Sequence, residues 1–210
     1  VYYRAVLYTG TGSAQSITGV GFKPDFVWIK ERDGTDAHFI QDSTRGSTQT
    51  LYTNDTASQF NETQGVTSFD ADGFTLGTYQ GMNNNGNLFV AYCWQANGGT
   101  TSSNTDGTNT STVQVNSAAG FSIVQATASG GYPTFNSFGH GLGTTPGLIL
   151  VKQMTGLVAG WAVWHKDYAN TAQDFMNLNR QQQKFGVTKH LHHHFFLLLT
   201  GGRLMLEVNL

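Results

Sequence analysis

The chain has 210 residues, and 11 % of them are charged, against roughly 25 % in an ordinary soluble domain. Its formal net charge is −2, so it has no basic surplus to neutralise phosphates, and nucleic-acid binding is not expected. The single cysteine, Cys93, excludes an intrachain disulfide, and no apolar run approaches the roughly 20 residues that span a bilayer.

Five stretches rich in Val, Ile, Phe, Tyr and Trp predict β-strands, because Gly, Asn, Asp and Ser cluster between them. In chain order they are 25–30, 73–79, 87–94, 120–127 and 147–152. The first and last, "DFVWIK" and "GLILVK", are apolar on both faces, which predicts central strands. "GFTL" at 73–76 alternates and is therefore expected at an edge or in an outer sheet. Only 170–185 has helical character, over a turn or two.

One sequence motif, which we call the repeated phrase, occurs twice, as "GVGFKPDFVWIK" (19–30) and "GLGTTPGLILVK" (141–152). The Gly, Pro and Lys positions of the two copies are 122 residues apart. Short strands with polar turns predict an all-β fold of tandem β-sandwich modules, jelly-roll-like, with an internal repeat. The first repeat is predicted over 1–96 and the second, diverged or truncated, over 119–210. A linker rich in Gly, Ser, Thr and Asn is predicted over 97–118.

Within the repeated phrase, Gly21 and Gly143 are predicted to permit a tight turn. Pro24 and Pro146 lack an N–H for a strand ladder, so each is expected just before a strand.

The Lys that ends each phrase, Lys30 or Lys152, is expected to return the chain to solvent. The phrase thus indicates architecture rather than a ligand site. A recognition surface is expected where the copies differ, in the loops 31–37, 80–87 and 153–160 and in the His-rich end.

The ordered series "YTGTGSAQSITGVGFKPDFVWIK", "HFIQDSTRG", "SFDADGFTLG" and "NNNGNLFVAYCWQA" resembles a repeated β domain of uncharacterised function. That domain occurs in tail-fibre and other virion proteins of bacteriophages, many of them marine. The first copy matches from Tyr8 to Ala96, and the second from Phe121 to about Asn179. The resemblance implies a virion role outside the cell, contacts with other virion proteins or host surface glycans, and a homo-oligomer, by analogy a trimer. It implies no catalysis.

Trp161, Trp164, His165 and Tyr168 form a candidate glycan site. Trp161 and Trp164 have opposite parity on a strand, so one indole is expected to be exposed and to stack on a sugar face. His165 and its polar neighbours would then bind the hydroxyl groups. The alternative is that both tryptophans fill a core or a subunit interface.

A histidine cluster near the end is a candidate metal site, because His190, His192 and His194 would share one face of a strand. Three imidazoles on one face suit Zn²⁺ or Ni²⁺. The alternatives are an ordinary polar strand face or a local error in the sequence.

The other charged residues predict neither catalysis nor a bound cofactor. Glutamates occur only at 31, 62 and 207, in dissimilar contexts, and no nucleophile elbow, zinc motif or phosphate loop is present. "DADG" (70–73) lacks the later ligands of a Ca²⁺ loop and predicts a β-turn. Asp42 and Arg45 predict a local ion pair, which contributes less than about 1 kcal/mol if exposed.

With this resemblance, the sequence is expected to encode a non-enzymatic structural protein of a phage virion, a module of a tail fibre or comparable appendage. A capsid decoration protein and a carbohydrate-binding module of a secreted enzyme are alternatives. A depolymerase would need two carboxylates converging in a cleft. The second copy departs from the family pattern in its final third, and the chain begins without Met, as a processed or partial chain would.

Overall fold

The computed structural model describes residues 1–129, 136–156, 158–167, 174–179, 185–186 and 194–201. This part of the chain is nearly all β and forms several antiparallel sheets, which confirms the predicted all-β class. It divides into two compact units. The first contains Val1–Asn54 and Gln59–Gly99, and the second contains Asp55–Ser58 and Thr100–Leu210.

The first unit contains nine strands and one short helix among its described residues. They are β1 (Tyr3–Thr9), β2 (Gln15–Ile17), β3 (Phe26–Glu31), β4 (His38–Asp42), β5 (Gly46–Tyr52), β6 (Phe60–Asn61), β7 (Val66–Asp70), β8 (Gly73–Leu76), α1 (Gln80–Asn83) and β9 (Leu88–Trp94). Six strands form one sheet in the order β1-β9-β3-β4-β5-β6, and three form another in the order β2-β8-β7.

Alternation along the strands builds the core of the first unit, since alternate residues point to the same face of a sheet. The register of the β3–β9 pair places Val27 opposite Cys93 and Ile29 opposite Ala91. These four buried residues belong to one cluster with Phe74 and Leu76 of β8, so the two sheets share a single core.

The second unit contributes eight strands. They are β10 (Ser102–Asn104), β11 (Ser111–Asn116), β12 (Phe121–Thr127), β13 (Pro146–Gln153), β14 (Ala162–His165), β15 (Asp174–Asn177), β16 (Phe185–Gly186) and β17 (His194–Gly201). They form one sheet in the order β10-β11-β12-β17-β13-β14-β15-β16. A core cluster on this sheet contains Val113, Val124, Leu142, Ile149 and Trp164.

All five predicted strands are confirmed, as β3, β8, β9, β12 and β13. The two doubly apolar strands are central, because β3 lies between β9 and β4 and β13 lies between β17 and β14. Of the two positions predicted for "GFTL", an edge or an outer sheet, the edge is wrong, because β8 lies between β2 and β7 in the three-stranded sheet. Its alternation has another cause: Phe74 and Leu76 are buried in the core while Thr75 is only partly buried.

Two further predictions are wrong within the described residues. Asp174–Asn177, inside the segment with helical character, is strand β15, because Asn177 and Met176 pair with Ala162 and Val163. The predicted linker 97–118 contains β10 and β11, which extend the sheet of the second unit beyond β12. Among the described residues, no helix has the length and apolar character needed to cross a membrane.

Candidate functional site

The glycines of the repeated phrase adopt the left-handed conformation in both units. Gly19 and Gly21 have φ values of +84° and +83°, and Gly141 and Gly143 have values of +71° and +68°. Side chains other than glycine rarely adopt such values, which explains the residue type. Pro24 lies two residues before β3, and Pro146 is the first residue of β13.

Asp72 holds the glycine turn of the first unit. Its carboxylate accepts the backbone N–H of Gly21 at 2.6 Å and that of Gly19 at 3.1 Å. Asp70, which ends β7, accepts the hydroxyl groups of Ser68 and Thr75 at 2.8 and 2.7 Å. Both carboxylates of "DADG" therefore bind donors of the chain itself, and the segment is the turn between β7 and β8.

Replacing Asp72 by asparagine is expected to lower the melting temperature near neutral pH. The two glycine N–H groups lower the pKa of Asp72, so the carboxylate stabilises the fold above the ordinary carboxyl pKa. This contribution is lost as the pH falls through the lowered folded value. The difference between wild type and Asp72→Asn should therefore shrink on acidification, which thermal scans from pH 7 to pH 2 would measure. Asp36→Asn, at another exposed aspartate, controls for the lost charge; an equal effect of the two changes would contradict the prediction.

The lysines that end the repeated phrase bind backbone carbonyls. The burial of Lys152 corrects the expectation that this residue returns the chain to solvent, whereas Lys30 is partly buried and is followed by exposed residues at 32–36. Lys30 Nζ donates to the carbonyl oxygens of Glu31 and Gly34 at 2.5 and 3.1 Å. Lys152 is fully buried, and its Nζ donates to the carbonyl oxygens of Ala159 and Thr56 at 2.6 and 2.9 Å. Burial lowers the pKa of Lys152 to about 8, although nearby Asp55 opposes the shift.

The predicted glycan platform is not formed by either tryptophan. Trp161 is 0 % exposed and Trp164 is 8 % exposed, and a buried indole cannot stack on a sugar. Trp164 lies opposite Ile149 in the register and joins the core. Strand alternation does not extend to Trp161, because β14 begins at Ala162. Both tryptophans therefore agree with the alternative, packing in a core.

The other residues proposed for that site are only partly described. The half-exposed His165 lies with its Nδ1 3.6 Å from a carboxylate oxygen of Asp167, and it also accepts the Asp167 N–H at 3.2 Å. Lys166 Nζ donates to the same carboxylate at 2.6 Å, which lowers the pKa of Asp167. This is a local surface cluster. Tyr168 lies outside the described residues.

The predicted metal site falls mostly outside the described residues. His190 and His192 are not among them, and only the backbone of His194 is described, at the start of β17 opposite Thr127. Within the described part of the chain, His, Cys, Asp and Glu side chains form no group of three that could hold a metal ion. The histidine site stays a prediction.

Three loops meet at one end of the six-stranded sheet, and we call residues 10–14, 31–37 and 80–88 the end loops. Backbone bonds join them: Arg32 N–H donates to Leu88 C=O at 2.7 Å, and Gly10 N–H donates to Asn87 C=O at 2.9 Å. Asp33 accepts the Leu88 N–H on both carboxylate oxygens at 3.0 and 3.1 Å, and Glu31 accepts from the Asn87 side chain. The structure thus brings together two of the loops in which the sequence predicts recognition.

The buried side chain of Asn83 stabilises the end loops by hydrogen bonds, and the sequence did not predict this role. This fully buried amide donates to the carbonyl oxygens of Ser13 and Gly77, each at 2.7 Å. Its oxygen accepts the Thr11 N–H at 2.9 Å and the Gln15 side chain at 2.6 Å. Four bonds satisfy the amide completely. In the sequence, Asn83 is one of three consecutive asparagines, and nothing local distinguishes it.

The ion pair predicted between Asp42 and Arg45 forms, and it is buried, so the small contribution expected of an exposed pair does not apply. Their side chains are 0 % and 1 % exposed, with Arg45 Nε 2.5 Å from the carboxylate. The same carboxylate accepts the backbone N–H groups of Thr44 and Arg45, each at 3.0 Å. Asp25, also fully buried, accepts from the Ser43 hydroxyl and from two backbone N–H groups. These acids fix turns of the first unit.

The end loops expose polar side chains of several chemical types. Their exposed residues carry hydroxyl, amide, guanidinium and carboxylate groups. These residues are Thr11, Ser13, Arg32, Asp33, Thr35, Asp36 and Asn85. Loops placed on a rigid β scaffold commonly carry binding functions. Short polar side chains of this type form adaptable hydrogen bonds with polar ligands.

Comparison with known proteins finds one family. The model of a domain of unknown function (DUF7483) matches residues 1–195, which includes described strands of both units. No curated protein and no solved structure matches the chain.

Proposed function

The chain belongs to the DUF7483 family, whose function is unknown, and we propose that it is a non-enzymatic structural module of a bacteriophage virion. In this role it forms part of a tail fibre or comparable appendage outside the cell, and it contacts host surface glycans or other virion proteins. The phage assignment is supported by the residue series from Tyr8 to Ala96 that resembles phage appendage domains. The observation that carries the contact function is the convergence of the end loops.

In the same proposal, the two units are copies of one β-sandwich module. The strand order of the first unit, β1-β9-β3-β4-β5-β6, matches the order β12-β17-β13-β14-β15-β16 in the second unit. In both orders the strand that is last in the chain, β9 or β17, lies beside the strand that is first, β1 or β12. The positive-φ glycines and the carbonyl-binding lysines recur at the same separation. In the first unit, two sheets share one core, as the sandwich arrangement requires.

Rigidity supports the end loops as the contact surface. Asn83, Asp33 and Glu31 tie the three loops to one another, so little conformational entropy is lost when a ligand binds. A single surface of this kind binds weakly, and repeated copies on one appendage multiply the weak affinities. A homo-oligomer belongs to the same proposal. The carbohydrate-binding module remains the weaker alternative, because both candidate indoles are buried.

Immunogold labelling tests the location on the particle. Antibodies raised against the purified chain are applied to virions of the phage that encodes it and examined by electron microscopy. Gold on the tail appendages is the expected result. Label distributed over the capsid would favour a decoration protein instead, and virions without any label would overturn the virion assignment.

Glycan arrays test the contact surface. The labelled chain is expected to bind bacterial surface polysaccharides, and a triple change of Arg32, Thr35 and Asp36 to alanine is expected to weaken binding about ten-fold or more. These side chains are exposed, so the fold should persist. A matched triple change of the exposed Thr100, Thr101 and Ser102 should leave binding unchanged. Equal losses from both triple variants would argue against the end loops.

A further inference from the structure

Among the described residues, strand β1 is an unusually long edge with no partner strand on one side, and we call this side bare. It has 7 residues, pairs with β9 without a break in register, and ends its sheet. The other described edge strands are shorter: β2 and β10 have 3 residues, β6 and β16 have 2, and β7 has 5 with an irregular register. Natural edges are usually blunted by charged side chains, proline or a bulge. β1 has no proline and no bulge, and its one charged residue, Arg4, lies on the opposite face of the strand from Tyr3, Ala5 and Leu7.

The hydrogen-bonding groups on the bare side of β1 can be assigned from its pairing with β9. Gln95 N–H donates to Tyr2 C=O at 2.9 Å, and Gly10 N–H donates to Asn87 C=O at 2.9 Å. Antiparallel bonding alternates along a strand, so the even-numbered residues bond to β9 and the odd-numbered ones face away. Tyr3, Ala5 and Leu7 therefore direct their N–H and C=O groups to the bare side.

Apolar side chains gather at the same edge. Tyr3 is 45 % exposed and Leu7 is 65 % exposed, and Val1, Tyr2 and Leu88 are exposed beside them. Tyr3 lies against Trp94 of β9 with 4.8 Å between the ring centroids. A bare ladder edge with an apolar flank is a template for adding another strand.

The second unit shows how such an edge is covered. Strand β12, which corresponds to β1 in the strand order, pairs antiparallel with β11 on the side that β1 leaves bare. The covering strand at that position is thus antiparallel. Antiparallel pairing is also what a two-fold axis imposes when a strand meets a second copy of itself.

We propose that β1 pairs with β1 of a second copy of this chain, antiparallel and centred on Ala5. This register places Ala5 opposite the partner's Ala5 and Tyr3 opposite the partner's Leu7. It uses the outward N–H and C=O groups of the three odd-numbered residues on each side. It also keeps odd-numbered side chains on one face, since a shift by one residue would mix the faces. Two six-stranded sheets then become one. The inference rests on β1 alone and holds whether or not the virion role is correct.

Solution mass is the first test. Sedimentation equilibrium of the purified chain over a range of concentrations should show a species of twice 22.8 kDa. Ala5→Pro removes the central donor at a position that does not bond to β9, and Leu7→Lys places a charge on the apolar flank. Each change should raise the dimer Kd about ten-fold or more. Val158→Lys, at a residue 69 % exposed, is the matched control and should leave Kd unchanged.

Disulfide trapping tests the register. Residues in a hydrogen-bonded antiparallel pair have Cα atoms about 5.5 Å apart, within disulfide range, so Ala5→Cys should crosslink to itself on mild oxidation. Leu7→Cys should not, because the two Leu7 positions would be offset by four residues, roughly 13 Å. The native Cys93 is buried and does not interfere.

Several results would overturn the pairing. They are a single-chain mass at every concentration, a three-chain mass, a dimer indifferent to both Ala5→Pro and Leu7→Lys, and equal crosslinking of the two cysteine variants. Circular dichroism identifies any variant that fails to fold, and Leu7→Lys keeps the test decisive if Ala5→Pro is one of them.

Discussion

Replacing Arg45 by alanine is expected to lower the free energy of unfolding of the first unit by about 3–5 kcal/mol. The change leaves the Asp42 carboxylate buried without its charge partner, and an isolated buried charge is far more costly than an exposed one. It also removes the bond from Arg45 Nη1 to Gln59 Oε1 at 3.0 Å. Urea denaturation, followed by the fluorescence of Trp28 and Trp94 in a background with Trp161 and Trp164 replaced by phenylalanine, measures the loss.

The double change of Asp42 and Arg45 to alanine separates the ion pair from general disruption. Its cost should be smaller than the sum of the two single costs, because the second change removes the charge that the first left unpaired. Lys166→Ala is the exposed control: it breaks a pair whose side chains are 43 % and 66 % exposed, and it should cost less than about 1 kcal/mol. A cost for Arg45→Ala no larger than this control would contradict the prediction.

The features that the sequence predicted correctly are those set by neighbouring residues. An apolar run such as 26–29 has no polar face to turn to water, so it predicts a central strand whatever surrounds it. Gly21 and Gly143 carry a backbone conformation that their own residue type permits. In both cases the physical cause lies within a few positions of the residue, where sequence patterns are informative.

The features that the sequence did not predict depend on contacts between distant residues. Asn83 binds Thr11 and Ser13, about 70 positions away, and Asp72 binds Gly21, 51 positions away. The sequence around Asn83 and around Asp72 does not differ from that around the many other asparagines and aspartates in turns. Burial of Trp161 and of the Asp42–Arg45 pair is likewise decided by which strands and loops come together. Local alternation predicted that one of Trp161 and Trp164 is exposed, but both are buried, because β14 begins after Trp161 and alternation does not extend to it.

The second unit should become more stable, relative to a Lys152→Met variant, as the pH rises from about 8 to 10.5. A buried lysine whose pKa is lowered from 10.5 to about 8 binds fewer protons in the folded chain than in the unfolded chain across this interval. Stability rises with pH wherever the unfolded state binds more protons, so the charged form costs the fold most at low pH. At about 1.4 kcal/mol per pKa unit, the difference between the two proteins should change by about 2–3 kcal/mol.

The comparison with Lys152→Met isolates this titration from others in the same range. Burial raises the pKa of Cys93 and of Tyr79, which lowers stability at alkaline pH, but both groups are present in wild type and variant and cancel in the difference.

Leu150→Met is the matched control. It introduces the same side chain at a neighbouring buried position without removing an amine, so the difference between its stability and that of wild type should not vary with pH. Urea denaturation at intervals from pH 7 to pH 10.5, in a background with Trp28 and Trp94 replaced by phenylalanine, would follow the second unit through Trp161 and Trp164. A difference in stability between wild type and Lys152→Met that does not change with pH would contradict the prediction. It would mean that the carbonyl groups of Thr56 and Ala159 stabilise the ammonium group as well as water does, because their hydrogen bonds offset its desolvation.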